Sequence, residues 1–477
     1  MKRKFRTISI LILSIVCLMA LYAYDPPAGG DSTYAFRSAD LLGGNASVTG
    51  GAFDRSIPGE TAINPALGAR EQRITLDASY ATIFGVGDET DGLGHILNLG
   101  ALYPTRWGVF GGNFSFLNSP FDSVPLETSG TIHASAAKSL TDRIDFGVGL
   151  TGSAGSGWGL SGEIGGLYRL GTLGFLQDAK VGVSLTGIGR TFNPDTYGVK
   201  GGNSSGFASA ITPHAGFAAT LVKNENVRLG ASADVSSPSF QNFVLDTGVE
   251  AIVKDIITVR TGWTYNMLES DKDVQTYLPS FGIGAKFKLD MKDENSFLAR
   301  NGWAQSEVAP TFAVKPLNND LYATGAGVNV KLGVTDEKAP AIAIDYPEEV
   351  YFSPNNDGVQ DDLSFGVKVS EQRFITAWSF VVEDDKGTVV RTIANKEPRA
   401  EMQDIKAFWK LVKKAKEGIA VPDTIRWDGN LDSGATAGDG TDTSLITTYH
   451  GFCVRVLRED IGRLFWPEKF RILDEGD

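Results

Sequence analysis

The residues that could do covalent chemistry are scattered. His95, His133, His214 and His450 are far apart in the chain, and none of the many serines sits in a recognisable nucleophile elbow. No phosphate-binding loop and no Cys or His metal-ligand spacing is present. Without a positioned acid, base or nucleophile, the sequence predicts a protein that is not an enzyme. What it offers instead is oxygen and charge. Asn355, Asp357 and Asp361 surround Gly358, and hard oxygen ligands in so tight a loop are a candidate Ca²⁺ site. The same residues suit an Asx-rich turn whose side chains bond to nearby backbone, and no closing bidentate Glu follows. No other cofactor is expected.

The elements that must position such groups are strands. In Ile257-Thr258-Val259-Arg260-Thr261-Gly262-Trp263-Thr264-Tyr265 apolar and polar side chains alternate, giving one greasy and one wet face. Val227 to Val235 and Phe281 to Leu289 repeat the pattern. From residue 72 the sequence predicts fourteen strands, centred near residues 78, 99, 112, 134, 148, 164, 184, 217, 231, 248, 261, 283, 311 and 327. The weakest is the thirteenth, which contains Pro310. Connections alternate between short ones, such as Pro104-Thr105-Arg106 and Lys254-Asp255, and long ones at 85–94, 118–128, 189–210 and 266–276. Met291 to Gln305 breaks that rhythm and could hide a miscounted strand or a periplasmic excursion. Of the 56 glycines only 11 lie beyond residue 340, so glycine is concentrated where the strands are, as crowded barrel interiors and turns require. On the wet parity stand Arg228, Asp234, Asp246, Glu250, Arg260, Lys286 and Lys288. In a barrel these face the lumen, where they either pair with one another and with the N-terminal segment or line a permeation path.

The start of the chain reads as an export signal. Lys2, Arg3, Lys4 and Arg6 precede the apolar run Ile8 to Ala20, with cleavage expected after Ala23. No later run has the length of a transmembrane helix. Exported strands with a greasy outer face fit a closed barrel in an outer membrane, because an open sheet edge cannot satisfy its backbone in hydrocarbon. Lipid is therefore an expected partner. A net charge of −13 without a basic stripe argues against nucleic acid. Of the two cysteines, Cys17 falls within the signal, so no internal disulfide is expected.

Residues 24–71 do not alternate and read as a compact irregular segment before the first strand. Pro65 fixes its own φ and restricts Asn64, which makes a rigid turn; this turn is also a candidate part of a gate. After a linker at 335–344, residues 345–477 return to short alternating strands, Leu363 to Val369 and Trp378 to Glu383 among them, and fit a small β-sandwich. Residues 400–417 are helical in period. Met402, Ile405, Phe408, Trp409 and Val412 share one face, and Lys406, Lys410, Lys413, Lys414 and Lys416 lie around it. Such a helix packs on its own sandwich or docks on a membrane surface or partner.

Two resemblances sharpen this reading. Gly50-Gly51-Ala52-Phe53 followed by Ala62-Ile63-Asn64-Pro65-Ala66-Leu67 resembles the N-terminal signature of the FadL-type and PorV/PorQ-type outer-membrane barrels, over roughly residues 35 to 335. The resemblance implies that residues 24–71 form a plug inside a fourteen-stranded barrel spanning 72–334, with Gly50, Gly51, Phe53, Asn64 and Pro65 as plug or gate residues. It implies passage of long-chain fatty acids or other hydrophobic small molecules, or an accessory role in protein export. Ile63 departs from the export-type members, which often carry an aromatic residue there. Phe352-Ser353-Pro354-Asn355-Asn356-Asp357-Gly358, with Ile425-Arg426-Trp427-Asp428-Gly429 and Asp439-Gly440-Thr441, resembles the Ig-like module related to that of flagellar hook-capping proteins. The expected architecture is thus all-β: signal 1–23, plug, transmembrane barrel of about fourteen antiparallel strands, and an Ig-like sandwich with a helical insertion. An even strand count returns the chain to its starting side, which would place the last module in the periplasm, free to meet a periplasmic or envelope protein. The function expected is uptake of hydrophobic molecules; the alternative is a non-transporting scaffold that helps export or assemble surface proteins.

Overall fold

A computed structural model describes residues 24–26, 28–86, 92–121, 128–155, 158–189, 211–290, 303, 305–318 and 320–333, together with 342–345, 354, 358–359, 361–369, 375–383, 388–396, 405–414, 419–434 and 452–458. The signal segment, Asn355, Asp357, Met402 and His450 lie outside the described residues. The chain divides into two compact units, Met1–Thr335 and Asp336–Asp477.

The first unit is a closed antiparallel ring. Its strands are β1 Ile74–Gly85, β2 Gly94–Thr105, β3 Gly108–Asn118, β4 Ser129–Ser139, β5 Ile144–Ala154, β6 Trp158–Leu173, β7 Leu176–Ile188 and β8 Thr212–Lys223. They continue with β9 Val227–Ser236, β10 Val244–Val253, β11 Ile257–Asn266, β12 Ser280–Ala285, β13 Phe287–Asp290, β14 Gln305–Pro316 and β15 Leu321–Leu332. Each pairs with the next, and β1 closes on β15 from Ile74↔Leu332 to Gly85↔Leu321. β12 and β13 are two pieces of one stave. Both pair with β14, and the ladder lapses opposite Ala309 and Pro310. Proline has no N–H to donate, which is the physical reason for the break. The ring therefore has fourteen staves. β13 pairs directly with β14, so the two are neighbours in the ring; residues 291–302 and 304, read from sequence as an irregular connection, lie outside the described residues.

The two faces have opposite chemistry. Leu76, Leu99, Phe110, Ile132, Leu150, Val183, Phe281 and Phe312 point outward and are exposed, Ile132 by 64%. Trp107, Tyr103 and Phe175 stand at the short-turn end, and Trp158, Phe243 and Tyr277 toward the other, the positions of aromatic girdles. Facing inward are Thr75, Asp77, Asn98, Asn113, Thr131, Glu163, Asp234, Glu250 and Arg260, all buried. A band of exposed hydrocarbon around a closed ring with a polar interior is the arrangement of a barrel that crosses a membrane. Among the described residues no helix is long and apolar enough to do so.

The second unit holds two three-stranded antiparallel sheets. One orders β16 Ile342–Asp345, β17 Leu363–Val369 and β20 Thr424–Trp427; the other orders β19 Val389–Lys396, β18 Ile375–Glu383 and β21 Phe452–Arg458. Their facing sides share one apolar core of Leu363, Phe365, Val367, Ile375, Trp378, Phe380, Val382 and Trp427. Of the linker expected at 335–344, residues 335–341 lie outside the described residues. Ile342 and Ile344 belong to β16 and pack on this core, so burial of alternate isoleucines overrides the Pro-flanked appearance of that stretch.

Candidate functional site

Residues 24–71 lie within the ring, held by its inward-facing side chains. They open with a 3₁₀ turn, Gly30–Arg37, and the helix α1, Ala39–Gly43, whose N-terminus Ser38 caps by accepting from the Asp40 N–H. The chain then runs across the strands rather than along them. Gly43 lies against Gly282 of β12, Gly44 against Gly262 of β11, Asn45 against Gly248 of β10, and Val48 against Gly216 of β8 and Gly182 of β7. A methyl group on Gly262 would lie 2.2 Å from the Gly44 carbonyl oxygen. The wall glycines are thus clearances cut for this segment, one per strand at nearly one height.

The motif residues complete the crossing. Gly50 and Gly51 both take positive φ, 74° and 73°, and a Cβ on Gly51 would strike the Glu250 carboxylate. Asn64 is fully buried. Its amide donates to the carbonyls of Val48 (2.7 Å) and Gly166 of β6 (3.2 Å), and its oxygen accepts from the Ala66 N–H (3.0 Å). Pro65 opens the 3₁₀ turn Pro65–Gly68, where its missing N–H leaves no bond unmade, and its backbone abuts Gly147 of β5. The Arg228 guanidinium lies over the Phe53 ring, 5.3 Å from its centroid.

The charges chosen from sequence separate into two groups. Asp234, Glu250 and Arg260 are buried and bind the N-terminal segment. Asp234 accepts from the Ser47 hydroxyl and the Val48 N–H, both at 3.0 Å, Glu250 pairs with Arg55 at 3.2 Å, and Arg260 pairs with Asp40. Asp246 accepts from Thr264 at 2.6 Å on the neighbouring strand. Arg228 and Lys286 sit at the short-turn rim, where both reach Asp255, at 2.6 and 2.7 Å; Lys288 is exposed beyond them. Burial raises the Asp255 carboxyl, but Lys286 and Arg228 outweigh it and hold the group below its ordinary value. Sequence reasoning missed the partners Arg55, Glu60, Arg70 and Glu71, because charges in an irregular segment have no parity to read. Arg55 bonds Glu60 at 2.6 Å, and Arg70 holds Asp145 of β5 at 2.8 Å. Lys331 of β15 reaches Glu71 at 3.1 Å. For Glu71 burial again pushes upward, and Lys331 with the Arg73 N–H and guanidinium pull the carboxyl below its ordinary value.

Toward the long-loop end the interior is not uniformly polar. Ala81 and Ile83 of β1, Ile96 of β2, Leu117 of β3, Ala313 of β14 and Leu321 and Ala323 of β15 turn apolar side chains inward. Phe36, Leu42 and Phe121 cover them. The packing is close: the space between apolar Phe36, Leu42 and Ile96 and polar Ser38, Ser79 and Asn98 is about 10 Å³, room for one water-sized sphere. Next to it around the wall, from β3 to β6, the lining is rich in polar groups, with Asn113, Thr131, His133, Thr151, Ser161 and Glu163. This end of the lumen therefore has one oily arc and one hydrogen-bonding arc, and Phe36 and Leu42 close the oily one.

In the second unit Asp361 reaches back along the chain and accepts from the Gly358 N–H at 2.7 Å. The other proposed calcium ligands lie outside the described residues. The helix α2 spans Ile405–Lys413, inside the range read from sequence, but its exposed and buried faces differ from that reading. Leu411 is buried, whereas Trp409, placed on the inner face by its spacing, is 52% exposed. Two and a half turns of residues read at 100° per step leave Trp409 at the edge of the apolar arc, and the helix rolls to seat Leu411.

No protein-family model matches the sequence, and no curated protein does. Among solved structures the chain is similar to the Ralstonia pickettii toluene transporter TbuX at 11% identity, covering 62% of this chain and 99% of that one with a TM-score of 0.38. The P. putida toluene transporter TodX is similar at 11% identity, covering 61% and 99% with a TM-score of 0.34. The Acinetobacter baumannii outer membrane protein Omp33 is similar at 9% identity, covering 55% and 98% with a TM-score of 0.33. At that level the likeness carries no argument about what this chain does, and the barrel stands on its own strand pairing.

Proposed function

We propose that the chain is an outer-membrane channel for uptake of hydrophobic small molecules, long-chain fatty acids among them, with residues 24–71 as its plug. One observation carries the proposal: the inward-facing oily arc of Ala81, Ile83, Ile96, Leu117, Leu321 and Ala323 in a lumen otherwise walled by polar groups. Buried hydrocarbon there binds apolar surface from water at about 25 cal/mol per Å² once Phe36 and Leu42 are displaced. No catalytic step belongs to this reading. The second unit, read from sequence as 345–477 and including β16 from Ile342, is in this reading an Ig-like docking module whose partner is an envelope protein; that β1 starts and β15 ends at the same, short-turn end supports a periplasmic position for it.

The test is uptake of palmitate and of toluene by liposomes carrying the purified protein. Uptake above protein-free liposomes is expected, reduced in Ala81→Trp and Ala323→Trp, which fill the arc, and raised in Phe36→Ala, which vacates it. Equal, background-level uptake by all four proteins, with envelope proteins recovered on the 345–477 module, refutes transport. That outcome supports the scaffold reading, which the ion pairs of Arg55, Arg70 and Lys331 favour because they close the short-turn end of the lumen.

A further inference from the structure

Among the described residues, the helix α2 has a surface that its own unit leaves uncovered. Buried Leu411 marks the side turned to the protein. On a wheel of 100° per residue, Trp409 lies 160° from Leu411, with Lys413, Lys406 and Lys410 following within the next 100°. All three lysines and Trp409 are exposed. A large aromatic bordering a cationic arc is poorly suited to water on both counts. The ring exposes hydrocarbon, and like charges three and four residues apart repel.

We propose that this face docks on an anionic phospholipid surface. The chemistry fits on each side. Tryptophan favours the boundary between headgroups and acyl chains, and lysines beside it reach lipid phosphates while their stems lie along the surface. Both units belong to one chain, so once the barrel sits in a bilayer the contact is intramolecular and a weak affinity suffices to populate it. The contact is independent of which solute the barrel admits, and needs only that the barrel sit in a bilayer.

The test uses the full chain in nanodiscs, which leave both faces of the bilayer open to reagent. Lysine acetylation is read by mass spectrometry, with exposed Lys368 as the internal reference. In discs one-third phosphatidylglycerol, Lys406, Lys410 and Lys413 are expected to react at least about threefold more slowly, relative to Lys368, than in pure phosphatidylcholine. The difference should vanish in Trp409→Ala and at high salt. Equal reactivity in the two lipids overturns the proposal, as does protection that survives in Trp409→Ala. Protection that appears only when envelope proteins are added also overturns it, and assigns the face to a protein.

Discussion

The sharpest expectation concerns Gly262→Ala. A single methyl group there would enter a space 2.2 Å from the Gly44 oxygen, 2.5 Å from its carbonyl carbon and 2.9 Å from the Asn45 nitrogen. These are backbone atoms, with no rotamer to change. The neighbours on either side are as tight: Gly43 against Gly282 and Asn45 against Gly248. The segment can yield only by lifting from β11, which stretches the bond from the Ser280 hydroxyl to the Gly44 oxygen (2.9 Å) and those of Asn45 with Ser232 and Asp234. Overpacking of this kind costs about 1–3 kcal/mol, and each lost bond adds about 1 kcal/mol net. A loss of about 2 kcal/mol in local docking corresponds to roughly thirtyfold faster amide exchange through local opening. Hydrogen–deuterium exchange over residues 39–53 reads it directly, while heat-modifiable gel migration reports the ring itself, which should be unchanged. Gly112→Ala is the control, because a methyl there meets nothing closer than 3.9 Å. Exchange in Gly262→Ala within twofold of wild type would refute the fitted crossing.

Asn64→Ala removes three hydrogen bonds at a fully buried site and should loosen residues 45–70 by about 2–3 kcal/mol in the same exchange assay. Because the Glu71 carboxyl is held below its ordinary 4.5, its contribution is complete above that value and disappears as pH falls through the lowered value. Protection near residues 70–74, taken relative to the intrinsic exchange rate at each pH, should therefore be flat from neutral pH to about 5 and fall only in stronger acid, a fall absent in Glu71→Gln. At the rim, Asp255→Asn releases Arg228 and Lys286, yet these partners are a quarter to a third exposed, so the barrel's melting should change by no more than about 1 kcal/mol. In the second unit Phe380→Ala leaves a void beside Phe365, whose ring centre is 5.8 Å away. It should destabilise that unit by about 3–5 kcal/mol in limited proteolysis while the barrel keeps its heat-modifiable migration.

The fourteen staves were legible in the sequence because lipid outside and polar groups inside impose a strict period of two. Even Pro310 sits in its strand as read, and shows itself only as a lapse in the ladder. The wet-parity residues Asp234, Glu250 and Arg260 do face inward, but nothing in the pattern names their partners, which come from a segment without period. Two signals were present and unread. Each wall strand from β5 to β12 carries a glycine on the wet parity near one height, and that row marks the level at which another chain presses. Ile83, Ile96 and Leu117 break the rule of polar residues on that parity, and those breaks map the oily arc. Trp409 misled because a short helix fixes its roll by one deep contact, here Leu411, and not by the centre of its apolar residues.

The crossing of Gly43 to Val48 over β12 through β7 also constrains the order of assembly. Its partners on the wall are synthesised long after it, and Asp40 finds Arg260 and Thr311 only when the final third of the ring exists. The segment that precedes β1 must therefore wait, unpaired, until the later hairpins are in place. A cell that makes this protein needs either a helper to shield those residues during that interval or insertion fast enough to do without one.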